Sequence, residues 1–127
     1  SVEAKKMAAG SWECFTDNGR EQTGRDVFDW IEQVQTLGAG EILLTSVDNE
    51  GTRKGFDLAL AQNVSNLVKV PLIISGGMAS SDDIITLTEC ADIDGIAMAD
   101  ILHFNRDSVS SIRSNALAKR VPLRVVK

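Results

Sequence analysis

Ile42-Leu43-Leu44 is an apolar run with no polar residue at alternate positions. A strand with one face in water alternates; a strand that does not is covered on both faces, as in a parallel sheet flanked by helices. The run is entered through Gly38-Ala39-Gly40, a helix stop, since glycine takes positive φ without a Cβ clash. It leaves through Thr45, Ser46, Asp48, Glu50, Gly51 and Thr52, an abrupt change to polar residues. Ligands of parallel α/β sheets bind beyond the carboxyl ends of the strands. One stretch therefore predicts a buried strand followed by a chemical loop.

The same pattern recurs along the chain. Ser1-Val2-Glu3-Ala4-Lys5-Lys6 reads as the tail of a strand, as if the chain began inside an element. Ser11 to Thr16, followed by Asp17-Asn18-Gly19-Arg20, predicts a small hairpin at about residues 11–22, with Asn-Gly as its turn signal. Thr23 with Asp26 predicts the cap of a helix carrying Val27, Trp30, Ile31 and Val34. A second helix carries Leu60, Ala61, Val64 and Leu67 and is stopped by Pro71. Leu72-Ile73-Ile74 is another buried strand, closed by Ser75-Gly76-Gly77. Ser80 and Asp83 cap a third helix with Ile84, Leu87 and Ala91, and Gly95 to Asp100 is a further strand end. Asp107 opens a last helix with Val109, Ile112 and Ala116 inward, before Pro122-Leu123-Arg124-Val125-Val126. Four strand–helix alternations predict an α/β fold with a parallel sheet and right-handed crossovers. An open doubly wound sheet and a (βα) barrel both fit this order, but no GxGxxG follows any strand. A full barrel takes about 250 residues, so 127 residues with four βα units make a single half-barrel domain, residues 1–127.

Composition removes several functional classes. The net charge of −5 argues against nucleic acid as a partner. Arg113, Lys119, Arg120, Arg124 and Lys127 gather near the end, where cations compensate a last helix's dipole. No apolar run approaches a membrane span and no signal peptide is visible, so no membrane partner and a cytoplasmic location are expected. Cys14 and Cys90 lack CxxC spacing and read as buried or free thiols. His103, the single histidine, has no partner at ligand spacing, so neither a metal nor a cofactor is expected.

Chemistry gathers at the predicted strand ends. Ser75-Gly76-Gly77 stands between a strand and a capped helix, where glycines let backbone N–H groups approach an anion. Gly51 holds the equivalent place one unit earlier. Barrel enzymes commonly bind phosphate after strands 7 and 8; if these four units are the second half of a barrel, those strands are followed by Ser75-Gly76-Gly77 and Asp100. An anion site built by Gly51, Gly77 and the backbone after Ala99 is expected, which a valine at Gly77 would block while sparing the fold. Glu3, Asp48 and Glu50 are strand-end carboxylates suited to general acid–base work. Glu41 lies at a strand start, the opposite end.

Gly38 to Ser46 with Asp48, Gly51 and Thr52 resembles the cyclase subunit of imidazole glycerol phosphate synthase. Trp12-Glu13-Cys14-Phe15-Thr16, Pro71 to Gly77 and Ile101-Leu102-His103-Phe104 extend the resemblance over nearly the whole chain. It spans the C-terminal half of that family's barrel, units 5–8. The resemblance implies a (βα)8 barrel of histidine biosynthesis. Ammonia from a glutaminase partner adds to a phosphorylated substrate, PRFAR, and cyclisation with cleavage yields imidazole glycerol phosphate and AICAR. It implies that Glu3 stands at the second catalytic aspartate. Thr45, Glu50, Gly51, Ser75, Gly76, Gly77, Ala99 and Asp100 match positions around the substrate and its phosphate, and Glu41 matches the ammonia entrance. Three residues depart from the pattern: Glu3 and Glu50 replace aspartates, and Asp100 replaces a serine of the phosphate site. Asp100 would repel a phosphate, and Asp100→Ser is expected to tighten the site. The first-half aspartate is absent, so the chain alone is expected to be inactive. A divergent paralogue amidating surface sugars and an inactive, self-associating half-barrel are the alternatives. The exposed edges of four parallel strands imply a homodimer or a higher even oligomer.

Overall fold

The computed structural model describes residues 1–124; Val125, Val126 and Lys127 lie outside the described residues. The elements run β1 (Val2–Ala8), β2 (Ser11–Thr16), β3 (Glu21–Asp26), α1 (Val27–Thr36), β4 (Ile42–Ser46), α2 (Leu58–Ser65), β5 (Leu72–Ser75), α3 (Ser81–Cys90), β6 (Gly95–Ala97), α4 (Asp100–His103) and α5 (Val109–Ala118). They form a mixed α/β fold on one six-stranded sheet of order β3-β2-β1-β4-β5-β6. β1, β4, β5 and β6 are parallel, while β2 and β3 extend the sheet antiparallel on the outer side of β1.

That antiparallel pair is the expected hairpin, and it joins β1 to make a three-stranded meander before α1. The meander covers the edge of β1 that four parallel strands would leave open. The hairpin turn is where Asn-Gly places it: Asp17, Asn18 and Gly19 all take left-handed φ, at 53°, 57° and 77°. Asp and Asn tolerate that region because their short polar side chains bond locally. The returning strand runs on to Asp26, past the expected limit at residue 22. Thr23 is consequently inside β3, and its hydroxyl donates to the Cys14 carbonyl. Asp26 caps α1 alone, its Oδ1 accepting from Phe28 N at 2.8 Å and Asp29 N at 3.2 Å.

Val2, Ala4, Ile42, Leu44, Leu72 and Ile74 are buried and share one sheet face. They join Val27, Ile31, Leu60, Val64, Ile84, Leu87 and Ile112 of the helices in one core. A fully buried aliphatic side chain of this kind contributes about 1.5–3 kcal/mol. The alternate residues Leu43 and Ile73 are only half-buried. The uniformly apolar runs thus have helices on one face and a partly open second face, where the sequence implies cover on both.

Helix termini follow local chemistry. Ser80 and Asp83 form the expected capping box of α3. Asp57 caps α2 through Oδ1 and accepts from the buried Trp12 Nε1 at 2.9 Å through Oδ2, so one carboxylate ties β2 to α2. α2 ends at Ser65, leaving Leu67 beyond it. Ser108, rather than Asp107, caps α5; Ile112 and Ala116 are buried, but Val109 is exposed. Lys119 pairs with Asp82 in the first turn of α3 and so links two helices. Cys14 and Cys90 are free. Burial, with Asp26 next in effect, pushes the Cys14 thiol from 9.0 up to about 11, so it stays protonated and inert at neutral pH. No helix among the described residues is long and apolar enough to cross a membrane.

Candidate functional site

The parallel register builds the site. Glu3 pairs with Thr45, Thr45 with Ser75, and Ser75 with Ala97, so these four residues form one row across β1, β4, β5 and β6. Alternation along the strands puts the row on the partly open face. Just beyond it, at the carboxyl ends of the strands, lies a pocket of about 120 Å³. Its walls include Glu50 and Gly51 after β4, Ser75 at the end of β5 with Gly76 and Gly77 after it, and Ala99 and Asp100 after β6. Seven residues singled out in the sequence therefore meet in one concavity.

Two loops are stitched together at its floor. Gly55 N donates to Gly77 O at 2.9 Å across the two loops, and within the loop after β4 Asn49 Nδ2 donates to Gly55 O at 2.8 Å. Gly77 has φ +96°, and a Cβ built on it would lie 2.1 Å from Gly55 O. The expectation that a valine there would spare the fold is corrected: Gly77 is where two backbones touch. Glu50 is exposed, with its carboxylate over Gly76; its N–H donates to Ser46 O at 3.0 Å.

Glu3 and Thr45 belong to the row but not to the pocket lining. Glu3 Oε2 accepts from Gly19 N at 2.8 Å, so the hairpin turn folds back over β1 and fixes this carboxylate. Asp48 accepts from Lys6 N at 2.7 Å and ties the loop after β4 to β1. Glu41 is exposed at the other end of β4.

Asp100 is not the isolated repulsive charge the sequence implies. Its Oδ2 accepts from Arg53 Nε at 3.0 Å and is ion-paired with Arg106. Both guanidiniums lie against the exposed Phe104 ring, 5.5 and 5.1 Å from its centroid. Sequence reading missed both arginines; the one available signal was that Arg53 follows Gly51 in a loop already singled out. Among the described residues no group of three or more His, Cys, Asp and Glu is arranged to hold a metal ion.

Comparison with known proteins shows the family. A family model described as histidine biosynthesis protein matches residues 1–108. The imidazole glycerol phosphate synthase subunit HisF of Streptococcus sanguinis (strain SK36) is 42% identical over 125 residues, 98% of this chain and 50% of the relative. The subunit of the same name from Legionella pneumophila is 58% identical over 83 residues, 65% of this chain and 39% of the relative. That of Prochlorococcus marinus subsp. pastoris (strain CCMP1986) is 40% identical over 126 residues, covering 98% and 49%. The chain spans about half the length of the curated relatives it matches. With a family model over most of the chain and relatives aligned along nearly all of it, the chain belongs to the histidine biosynthesis protein family.

Proposed function

We propose that this chain is the C-terminal half, units 5–8, of a (βα)8-barrel cyclase that turns ammonia and PRFAR into imidazole glycerol phosphate and AICAR. The observation that carries this reading is the row Glu3–Thr45–Ser75–Ala97 leading into the pocket at the carboxyl ends of the parallel strands. In the proposed reaction the pocket takes one phosphate of the substrate, using backbone N–H groups near Gly51, Gly77 and Ala99. Glu3 moves protons during ring closure, and Glu41 sits where ammonia from a glutaminase subunit enters. A general acid–base group contributes about 10²–10⁴-fold, and the second such group belongs to the N-terminal half of such a barrel. The isolated chain is therefore expected to be inactive. Joined to the N-terminal half of the Streptococcus sanguinis relative, it should consume PRFAR with ammonia. Absence of turnover in that joined barrel, when the relative's own two halves rejoin actively, rejects the reading.

The half-buried Leu43 and Ile73 on the open face and the side of β6 that pairs with no strand among the described residues support a second expectation. Exposed edges and apolar faces of this kind recruit partners. Without a first half, the chain should form a homodimer or a higher even oligomer across that face. Light scattering that returns a folded monomer at micromolar concentration excludes it.

A further inference from the structure

We propose that Arg53 is the cation that takes the pocket's anion, and that Asp100 holds it in reserve: an incoming phosphoryl group draws the Arg53 guanidinium away from Asp100, whose charge stays paired with Arg106. This rests on the reading of the pocket as a phosphate site.

The asymmetry of the cluster carries the argument. Arg53 and Asp100 line the pocket, whereas Arg106 does not line it and reaches the same Asp100 oxygen from outside. The Asp100 side chain is only 19% exposed. Stripped of all partners, such a carboxylate would face a bound anion as an uncompensated like charge, which is costly. Two arginines remove that obstacle, because one can leave while the other remains. Arg53 is the one free to turn, with its side chain 49% exposed against 28% for Arg106. Its planar fork matches two phosphate oxygens. The Phe104 face offers both guanidiniums an apolar shelf in either arrangement.

Calorimetric titration of the 127-residue chain with inorganic phosphate at low salt tests this with four substitutions. Asp100→Asn should tighten binding. Arg53→Gln should weaken it about tenfold or more, in the native and the Asp100→Asn background alike. Arg106→Gln should weaken binding in the native background, because Asp100 then keeps Arg53, and should change nothing beyond about twofold once Asp100 is Asn. Equal weakening by Arg106→Gln in both backgrounds means simple long-range attraction and overturns the handover. Unchanged affinity in Arg53→Gln also overturns it, while the backbone phosphate site stands. No phosphate binding by the native chain and by Asp100→Asn alike is instead the failure of the phosphate-site reading. A measurement on the native protein covers the case of a variant that does not fold: phosphate should shift the Arg53 Nε–H resonance and not that of Arg106. An unmoved Arg53 signal at saturating phosphate rejects the proposal.

Discussion

Glu3→Gln should abolish ammonia-dependent consumption of PRFAR by a barrel rebuilt from this chain and a relative's N-terminal half. An amide of the same shape keeps the hydrogen bond from Gly19 N, 2.8 Å away in the native chain, because its oxygen still accepts. It loses only the ability to take and return a proton. The expected loss is about 10²–10⁴-fold in kcat, with the rebuilt barrel unchanged in melting temperature. Glu3→Asp should raise turnover. The family pattern has aspartate here, and the extra methylene displaces the carboxylate by about 1 Å, an error that costs on the order of 10²-fold when groups must be aligned. Full activity in Glu3→Gln would show that Glu3 is a strand-end charge tied to a turn and nothing more.

The Gly19 contact also shows why the sequence under-reads this position. Sixteen residues separate Glu3 from its donor, and the contact exists only because β2 returns alongside β1. Elements with a strong local signal were legible: the apolar runs of β4 and β5, the Ser80–Asp83 box, and the Asp17-Asn18-Gly19 turn. The extent of β3 was not, because Glu21–Asp26 is polar throughout and almost wholly exposed, so neither face leaves a period-2 trace. Thr23 and Asp26 then imitated a capping pattern, although the Thr23 hydroxyl was committed to the neighbouring strand.

The pocket divides in the same way. Gly51, Ser75, Gly76, Gly77 and Ala99 were legible because each ends or follows a recognisable strand, and parallel register gathers strand ends. The state of Asp100 was not. Its carboxylate is paired with Arg53 and Arg106, one 47 positions earlier and one six later, and no local pattern links the three. A sequence shows an acid beyond a strand end; only the fold shows that the acid is already paired.

Gly77→Val should cost about 3 kcal/mol of stability, the largest loss expected from any glycine of the pocket. Two penalties combine. A side chain at φ +96° is strained wherever it sits, at about 1–3 kcal/mol. Its Cβ would also stand 2.1 Å from Gly55 O and 3.0 Å from Asn49 Cβ, so the loops after β4 and β5 must part. Parting breaks the Gly55 N to Gly77 O bond that joins them. Gly51→Val separates strain from contact. Gly51 also has positive φ, at 70°, but nothing lies within 4 Å of an added Cβ. It should lose only about 1 kcal/mol. For a domain of this size the difference amounts to roughly 5–10 °C in Tm. Urea titrations of both variants would check it, and phosphate affinity should fall in Gly77→Val even where the chain remains folded. Equal stabilities for the two variants would mean that the loops do not meet at Gly77, and the pocket floor described here would have to be redrawn.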